Sequence, residues 1–236
     1  QKKVSEIKND FINNLTHELK TPLASMSLAT TVLQESLAQH LSDRNHHHFA
    51  LIRNEQLSLE NQIDKVLQMA MTDAGNFELD LKTIDIYGLI EVTLASLELI
   101  IAQKNGRVDF KKPEEKILVE ADTAHLSNVI YNLIDNAIKY SKERIEIFIN
   151  AYSQKEKLYI EIEDKGIGIP KDLQPRIFER FYRVPTGNLH DVKGFGLGLS
   201  YIKEMMELHQ GSIKVISKPG KGSTFTLIFP LINKPN

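Results

Sequence analysis

Apolar side chains recur every three or four residues through the first third of this chain, and that spacing constrains what the segment can become. Val4, Ile7, Phe11, Leu15, Leu19, Leu23, Met26, Thr30, Leu33 and Leu37 follow one nearly apolar helical stripe. A polar break runs from Gln39 to Asn45. Phe49, Ile52, Gln56, Leu59, Ile63, Val66 and Ala70 then step in alternating threes and fours. Two long heptad-like helices joined by a loop make an antiparallel hairpin. Two helices cannot enclose a core, so two hairpins are expected to pair as a homodimeric four-helix bundle.

The periodicity changes after Ala74-Gly75-Asn76, where glycine suits a helix C-cap. Phe77-Glu-Leu-Asp-Leu alternates like a strand, and Ile86 to Gln103 is helical. Lys116 to Val119 reads as a short strand and Asp122 to Tyr140 as a helix. Ile145 to Tyr152 and Leu158 to Glu163 alternate as paired strands do. Leu199 to His209 is helical, and Ser212 to Ser217 with Ser223 to Phe229 forms a terminal hairpin around Pro219-Gly220. The expected architecture is therefore multidomain. A helical hairpin spans residues 1–76, and an α/β sandwich with helices on one face of its sheet spans 77–236.

Composition narrows the chemistry. The 236 residues carry a net charge of −2 and no cysteine. Nucleic acid is a poor partner for such a charge balance, and thiol catalysis, disulfides and zinc-thiolate sites are excluded. No run of 18 apolar residues is present, so membrane contact within this segment is not expected. The chain opens without Met and already in a helical pattern. It is read as a fragment of a longer protein, so any upstream membrane segment lies out of view.

One polar residue in the first helix stands out. At about 100° per residue, Leu15 and Leu19 lie about 40° apart and His17 points almost opposite to them, away from the seam. Thr21 is one turn further along the same face. Glu18 sits on the flank, where its carboxylate can hold one imidazole nitrogen and make the other a better nucleophile. Pro22 crowds the Glu18 carbonyl and bends the helix just after the histidine.

The second half offers a place for a nucleotide. Asn132 and Asn136 lie one turn apart on one helix face, although asparagine is a poor helix former. A side-chain oxygen for Mg²⁺ would explain the choice. Asp164-Lys-Gly166-Ile-Gly168 follows a strand: its glycines allow close backbone approach, and its carboxylate can accept from an adenine amino group. Gly194-Phe-Gly196-Leu197-Gly198 opens a helix whose N–H groups can cradle phosphates. This run fails the Rossmann spacing, and the chain lacks the Walker pattern, so a different kind of ATP site remains.

The string Phe11 to Leu23, with His17-Glu18 and Thr21-Pro22-Leu23, resembles the H-box of sensor histidine kinases. Thr16 and Lys20 stand where serine and arginine are commoner in that family. The later segments resemble, in order, the N, G1, F and G2 boxes of the GHKL (Bergerat) ATP-binding fold, with Phe178 to Arg183 as the F-box. That resemblance implies Mg²⁺ on Asn136, with Asn132, Lys139 and Arg183 near the phosphates and Tyr140 bordering the nucleotide. It implies that Asp164 reads adenine and that Gly166, Gly168, Gly194, Gly196, Leu197 and Gly198 shape the pocket. Val184 to Lys193 would be the ATP lid. The implied enzyme phosphorylates His17 from ATP and passes the phosphoryl group to an aspartate of a response regulator. Thr21 would position water for the reverse, phosphatase, reaction.

Two other readings compete. A GHKL ATPase would use ATP to close a clamp and would form no acid-labile phosphoprotein. A non-catalytic dimeric scaffold would need none of the nucleotide boxes. His46-His47-His48 is read as a solvated helix start, because consecutive helix residues point in different directions. His40, His125, His190 and His209 are read as carrying no special chemistry.

Overall fold

The computed structural model describes residues 23–35, 45, 48–49, 52, 56, 59, 63, 78–112, 116–141, 144–184 and 196–231. The chain divides into two compact units, Gln1–Glu78 and Leu79–Asn236.

In the first unit, residues 23–35 are helical, as are the described residues between 45 and 63. Leu23 is buried, and the Gln56 amide donates to Thr30 Oγ1 at 3.4 Å, so the two apolar stripes face each other. Met26, Leu33, Ile52 and Leu59 nonetheless remain 44–52% exposed. A single hairpin leaves much of its stripe in water, as two helices must. The seam residues before Leu23 lie outside the described residues.

The second unit is built from β1 (Leu81–Asp85), α1 (Ile86–Gln103), β2 (Arg107–Lys111), β3 (Leu118–Asp122) and α2 (Thr123–Lys139). There follow β4 (Glu146–Gln154), β5 (Lys157–Asp164), a short 3₁₀ turn (Arg176–Phe178), α3 (Gly198–Leu208), β6 (Ser212–Lys218) and β7 (Gly222–Pro230). Five strands form one sheet in the order β2-β4-β5-β7-β6, antiparallel except for the β2–β4 pair. Strands β1 and β3 form a separate antiparallel pair.

Alternation along the strands sorts the two faces. Ile147, Ile149, Leu158, Ile160, Ile162, Phe225, Leu227 and Phe229 are buried on one face, beneath the helices. Phe148 and Ile216 are exposed on the other. The sandwich with helices on one face is as the sequence led us to expect. Helix α1 is, among the described residues, the one helix long and apolar enough to cross a membrane. Here it is a core helix: Ile86, Tyr87, Ile90 and Leu97 are buried, and the Tyr87 hydroxyl donates to Ala151 O on β4 at 3.0 Å.

Two strands shift from the sequence reading and a third was absent from it. The first strand runs over Leu81–Asp85, not 77–81, because the Asp80 N–H is taken by the Asp122 carboxylate at 3.0 Å just where the ladder ends at Leu81↔Asp122. The next reading, Lys116 to Val119, shifts to Leu118–Asp122 for the same register. Strand β2 was not foreseen. It is a five-residue edge strand defined by parallel pairing with β4, from Arg107↔Glu146 to Lys111↔Asn150.

A buried polar cluster ties the helices together. Asp122 caps α2 by accepting from His125 N at 3.1 Å. Its own N–H donates to His209 Nε2 at 3.0 Å, while His209 Nδ1 lies 2.7 Å from Met205 O. These two bonds select the tautomer with hydrogen on Nδ1. His125 Nδ1 lies 3.1 Å from the hydroxyl of Tyr201, a fully buried residue of α3.

This cluster makes the unit acid-sensitive. Burial holds His125 below its ordinary value of 6.5, opposed by the Asp122 charge and assisted by His209. A base with a depressed folded pKa contributes stability that is complete above its unfolded pKa and is lost as pH falls toward the folded one. Burial raises the Asp122 carboxyl, but bonds from the His125 and Asp80 N–H groups outweigh it and hold Asp122 below 3.8. Its contribution is therefore lost only at still lower pH. The urea midpoint of this unit should fall between pH 7 and pH 5, with a shallower fall in His125→Gln. A flat midpoint across that interval would refute the assignment.

Candidate functional site

Two corners of the second unit gather the residues singled out from the sequence. The first lies where the end of α2 meets the turn after β5. Asn132 is buried, its amide donating to Asn128 O at 2.6 Å, which leaves the carboxamide oxygen on the side of Gly198. Asn136 is half-buried one turn on. Lys139 is exposed and paired with Asp135 at 2.5 Å. Tyr140 ends the helix, and its carbonyl accepts from Ile167 N at 3.1 Å.

That last bond needs a glycine beside it. A Cβ on Gly166 would collide with the Tyr140 carbonyl and with Asp164 Oδ1. Without one, Gly166 N donates to Asp164 Oδ1 at 2.8 Å. The Asp164 carboxyl is buried, and burial pushes its pKa up against the pull of the Gly166 and Ser223 N–H groups. Asp164 is thus an acceptor held away from water at a strand end, a fitting partner for an exocyclic amine.

The β6–β7 turn packs against the same loop. Gly168 has φ +70, and a Cβ there would run into the Lys218 carbonyl. The Gly220 N–H donates to Ile167 O at 2.7 Å. Ile169 N donates to Ser217 Oγ at 2.7 Å, and the Gln174 amide bonds both Ile169 O and Ser217 O.

The second corner brings the segment after the 3₁₀ turn to the start of α3. Phe181 N donates to Gly196 O at 3.0 Å. Both residues have positive φ, +64 for Phe181 and +73 for Gly196. For a phenylalanine that conformation is costly, which fits a site where surrounding structure overrides local preference. Arg176 lies over the Tyr182 ring at 4.2 Å, and Arg180 pairs with Glu204 of α3 at 3.3 Å. Arg183 is exposed on the same segment. Helix α3 then begins at Gly198 with buried Leu197 as N-cap and no side-chain cap. Its first N–H groups and dipole therefore suit an anion. A Cβ on Gly198 would sit 3.7 Å from Asn132 Oδ1, so the α3 start adjoins the asparagine face of α2.

The structure thus assembles Tyr140, Asp164, Gly166 and Gly168 around one corner, and Asn132, Gly196, Leu197 and Gly198 around the next. His17, Glu18, Thr21 and Gly194 lie outside the described residues. No group of His, Cys, Asp and Glu able to hold a metal unaided occurs among the described residues. A cation here would need the asparagine oxygen together with oxygens of the ligand itself. Ser217, Ser223 and Gln174 did not stand out in the sequence. For the two serines the only signal was their place on either side of the Gly220 turn, and Gln174 had none.

Known proteins resemble this chain over both of its units. Residues 121–233 match the family described as histidine kinase-, DNA gyrase B- and HSP90-like ATPase. Residues 7–75 match the His Kinase A (phospho-acceptor) domain. The sensor protein RprX of Bacteroides fragilis is 41% identical over 98% of this chain and 45% of its own length. The sensor histidine kinase WalK of Bacillus subtilis is 32% identical over 98% of this chain and 38% of its own length. This chain therefore spans less than half of either relative. The catalytic domain of histidine kinase ThkA superposes on 65% of the chain with a TM-score of 0.58 at 27% identity, covering 97% of that structure. Full-length ShkA in complex with AMPPNP shares the fold over 96% of this chain and 47% of its own, with a TM-score of 0.78 at 23% identity.

The glycines offer a direct test of the packing. Gly168 and Gly220 both have positive φ, but only Gly168 has backbone in the way of a Cβ. Gly220→Ala should cost about 1–2 kcal/mol, the left-handed penalty alone. Gly168→Ala should cost clearly more in urea denaturation. Equal losses would show that the turn does not press on the loop.

Proposed function

This chain belongs to the sensor histidine kinases, and we propose that it is the ATP-dependent autokinase core of a two-component system. ATP would occupy the second unit, with adenine on Asp164 and the polyphosphate along the asparagine face of α2 toward the start of α3. Asn136 would give its side-chain oxygen to Mg²⁺, which supplies charge neutralisation on the β- and γ-phosphates. The uncapped N–H groups of α3 would hold phosphate oxygens, with Asn132, Lys139 and Arg183 near the phosphates. Lys139 would have to leave Asp135 to do so, an exposed pair worth well under about 1 kcal/mol.

His17 would be the nucleophile. Its free ring nitrogen bonds to the γ-phosphorus as the bond to the β–γ bridging oxygen breaks and ADP departs. Glu18 would orient the imidazole or take its proton. The phosphoryl group would then pass to an aspartate carboxylate of a response regulator, and Thr21 would position water for the regulator's dephosphorylation. Two hairpins would pair as a homodimer, a reading supported by the half-exposed stripe of Met26, Leu33, Ile52 and Leu59. The single observation that carries this function is that α2 meets both motif segments, Tyr140 against the Gly166–Ile167 turn beside Asp164 and Asn132 against the uncapped start of α3, in a chain whose residues 7–75 match a phospho-acceptor domain.

Incubation with γ-labelled ATP and Mg²⁺ tests it. Label should appear on the protein as an acid-labile, alkali-stable adduct, be abolished in His17→Gln and fall at least about a hundredfold in Asn136→Asp. Chelation by EDTA should prevent labelling. Acid-stable label, or label retained by His17→Gln, would overturn the assignment of the acceptor.

A further inference from the structure

Ser217 is a residue that the nucleotide reading did not require, yet its hydroxyl stands at a crossing of three segments. Ile169 N, at the end of the loop after β5, donates to Ser217 Oγ at 2.7 Å. Ser217 Oγ donates to Gly222 O at 2.9 Å and lies 2.9 Å from Ser223 Oγ. A hydroxyl has one proton. With that proton on Gly222 O, the Ser223 hydroxyl must be the donor to Ser217. Ser217 Oγ then accepts twice and donates once, which uses its full capacity.

The line continues to the adenine end of the site. Ser217 pairs with Ser223 in the β6–β7 register, and Ser223 pairs with Asp164 in the β5–β7 register. The Ser223 N–H bonds to the Asp164 carboxyl, which is also held by Gly166 N. The same loop is fixed in its middle by Tyr140 O and Gly220 N. Its far end, at Ile169, is fixed by Ser217 and Gln174.

We propose that Ser217 is a positioning residue for base selectivity. By fixing Ile169 and Ser223 together, it holds the loop and the Asp164 carboxylate in the one arrangement that accepts an amino group. The inference rests on the reading of Asp164 as the adenine acceptor. Removing the hydroxyl leaves the half-buried Ile169 N–H and the Ser223 hydroxyl without their acceptor, so the loop can relax away from Asp164. An amino group and a carbonyl at the ring position facing Asp164 then differ less in affinity. ATP and GTP differ in this way.

The test uses the whole chain and measures ATP and GTP binding by calorimetry, with thermal unfolding in parallel. Ser217→Ala should weaken ATP about threefold to tenfold while leaving GTP little changed, so that the ATP:GTP preference falls by the same factor. Autophosphorylation at saturating ATP should stay within about twofold, with the loss appearing in KM. Ser217→Thr, which keeps the hydroxyl, should restore the preference. Equal weakening of both nucleotides, or an unchanged preference, would overturn the role of Ser217. Asp164→Asn is the control for the premise. If the wild-type chain prefers ATP but Asp164→Asn keeps that preference, the reading of Asp164 fails, and the role of Ser217 fails with it.

Discussion

The contact between the Tyr140 carbonyl and the Gly166–Ile167 backbone is the constraint on which the site depends. It joins the end of α2 to the turn after β5, where Gly166 also holds the buried aspartate. Backbone can approach backbone this closely only where a Cβ is missing. The same device recurs at Gly168 against Lys218 and at Gly196 against Phe181 and Tyr182. Three glycines therefore close three gaps, and each gap lies at the edge of the proposed nucleotide pocket.

Polar burial supports these contacts. Asp164 and Asp122 are both buried carboxylates, but their surroundings act in opposite directions. Burial dominates at Asp164 and raises its pKa, whereas N–H donors dominate at Asp122 and lower it. Asp122 is spent on structure: it caps α2 and anchors Asp80, while its N–H engages His209. Asp164 has two N–H partners and sits at a strand end facing the glycine loop, which suits a ligand acceptor. The balance of donors against burial, more than burial alone, sets the two carboxyls apart.

Much of this was legible before any coordinates. Helix α1 was found within its observed bounds because its apolar spacing is strong and Asp85 caps it. The β6–β7 hairpin was found because Pro219-Gly220 demands a turn. The glycines and asparagines were singled out because they are unusual for the elements they occupy, and the structure brings Gly166 against Tyr140 and Gly198 near Asn132. Strand β2 was missed: Arg-Val-Asp-Phe-Lys has no length or turn signal of its own, and it is a strand only because β4 lies beside it. His125 and His209, read as carrying no special chemistry, are committed to a hydrogen-bond network that their sequence neighbours do not announce. Ser217 was missed because its partners come from segments 5, 6 and 48 residues away.

The sequence alone determined the helical hairpin, the two-layer α/β unit, the order of the nucleotide motifs and the family. These rest on periodicity and on residues whose backbone freedom or chemistry is rare, and both are local properties. Tertiary structure decided where the first strand starts, which donors surround each buried carboxylate, and which hydroxyl bonds the loop after β5. Those depend on donors and acceptors brought together from distant segments, and a backbone N–H carries no signature in the amino-acid string.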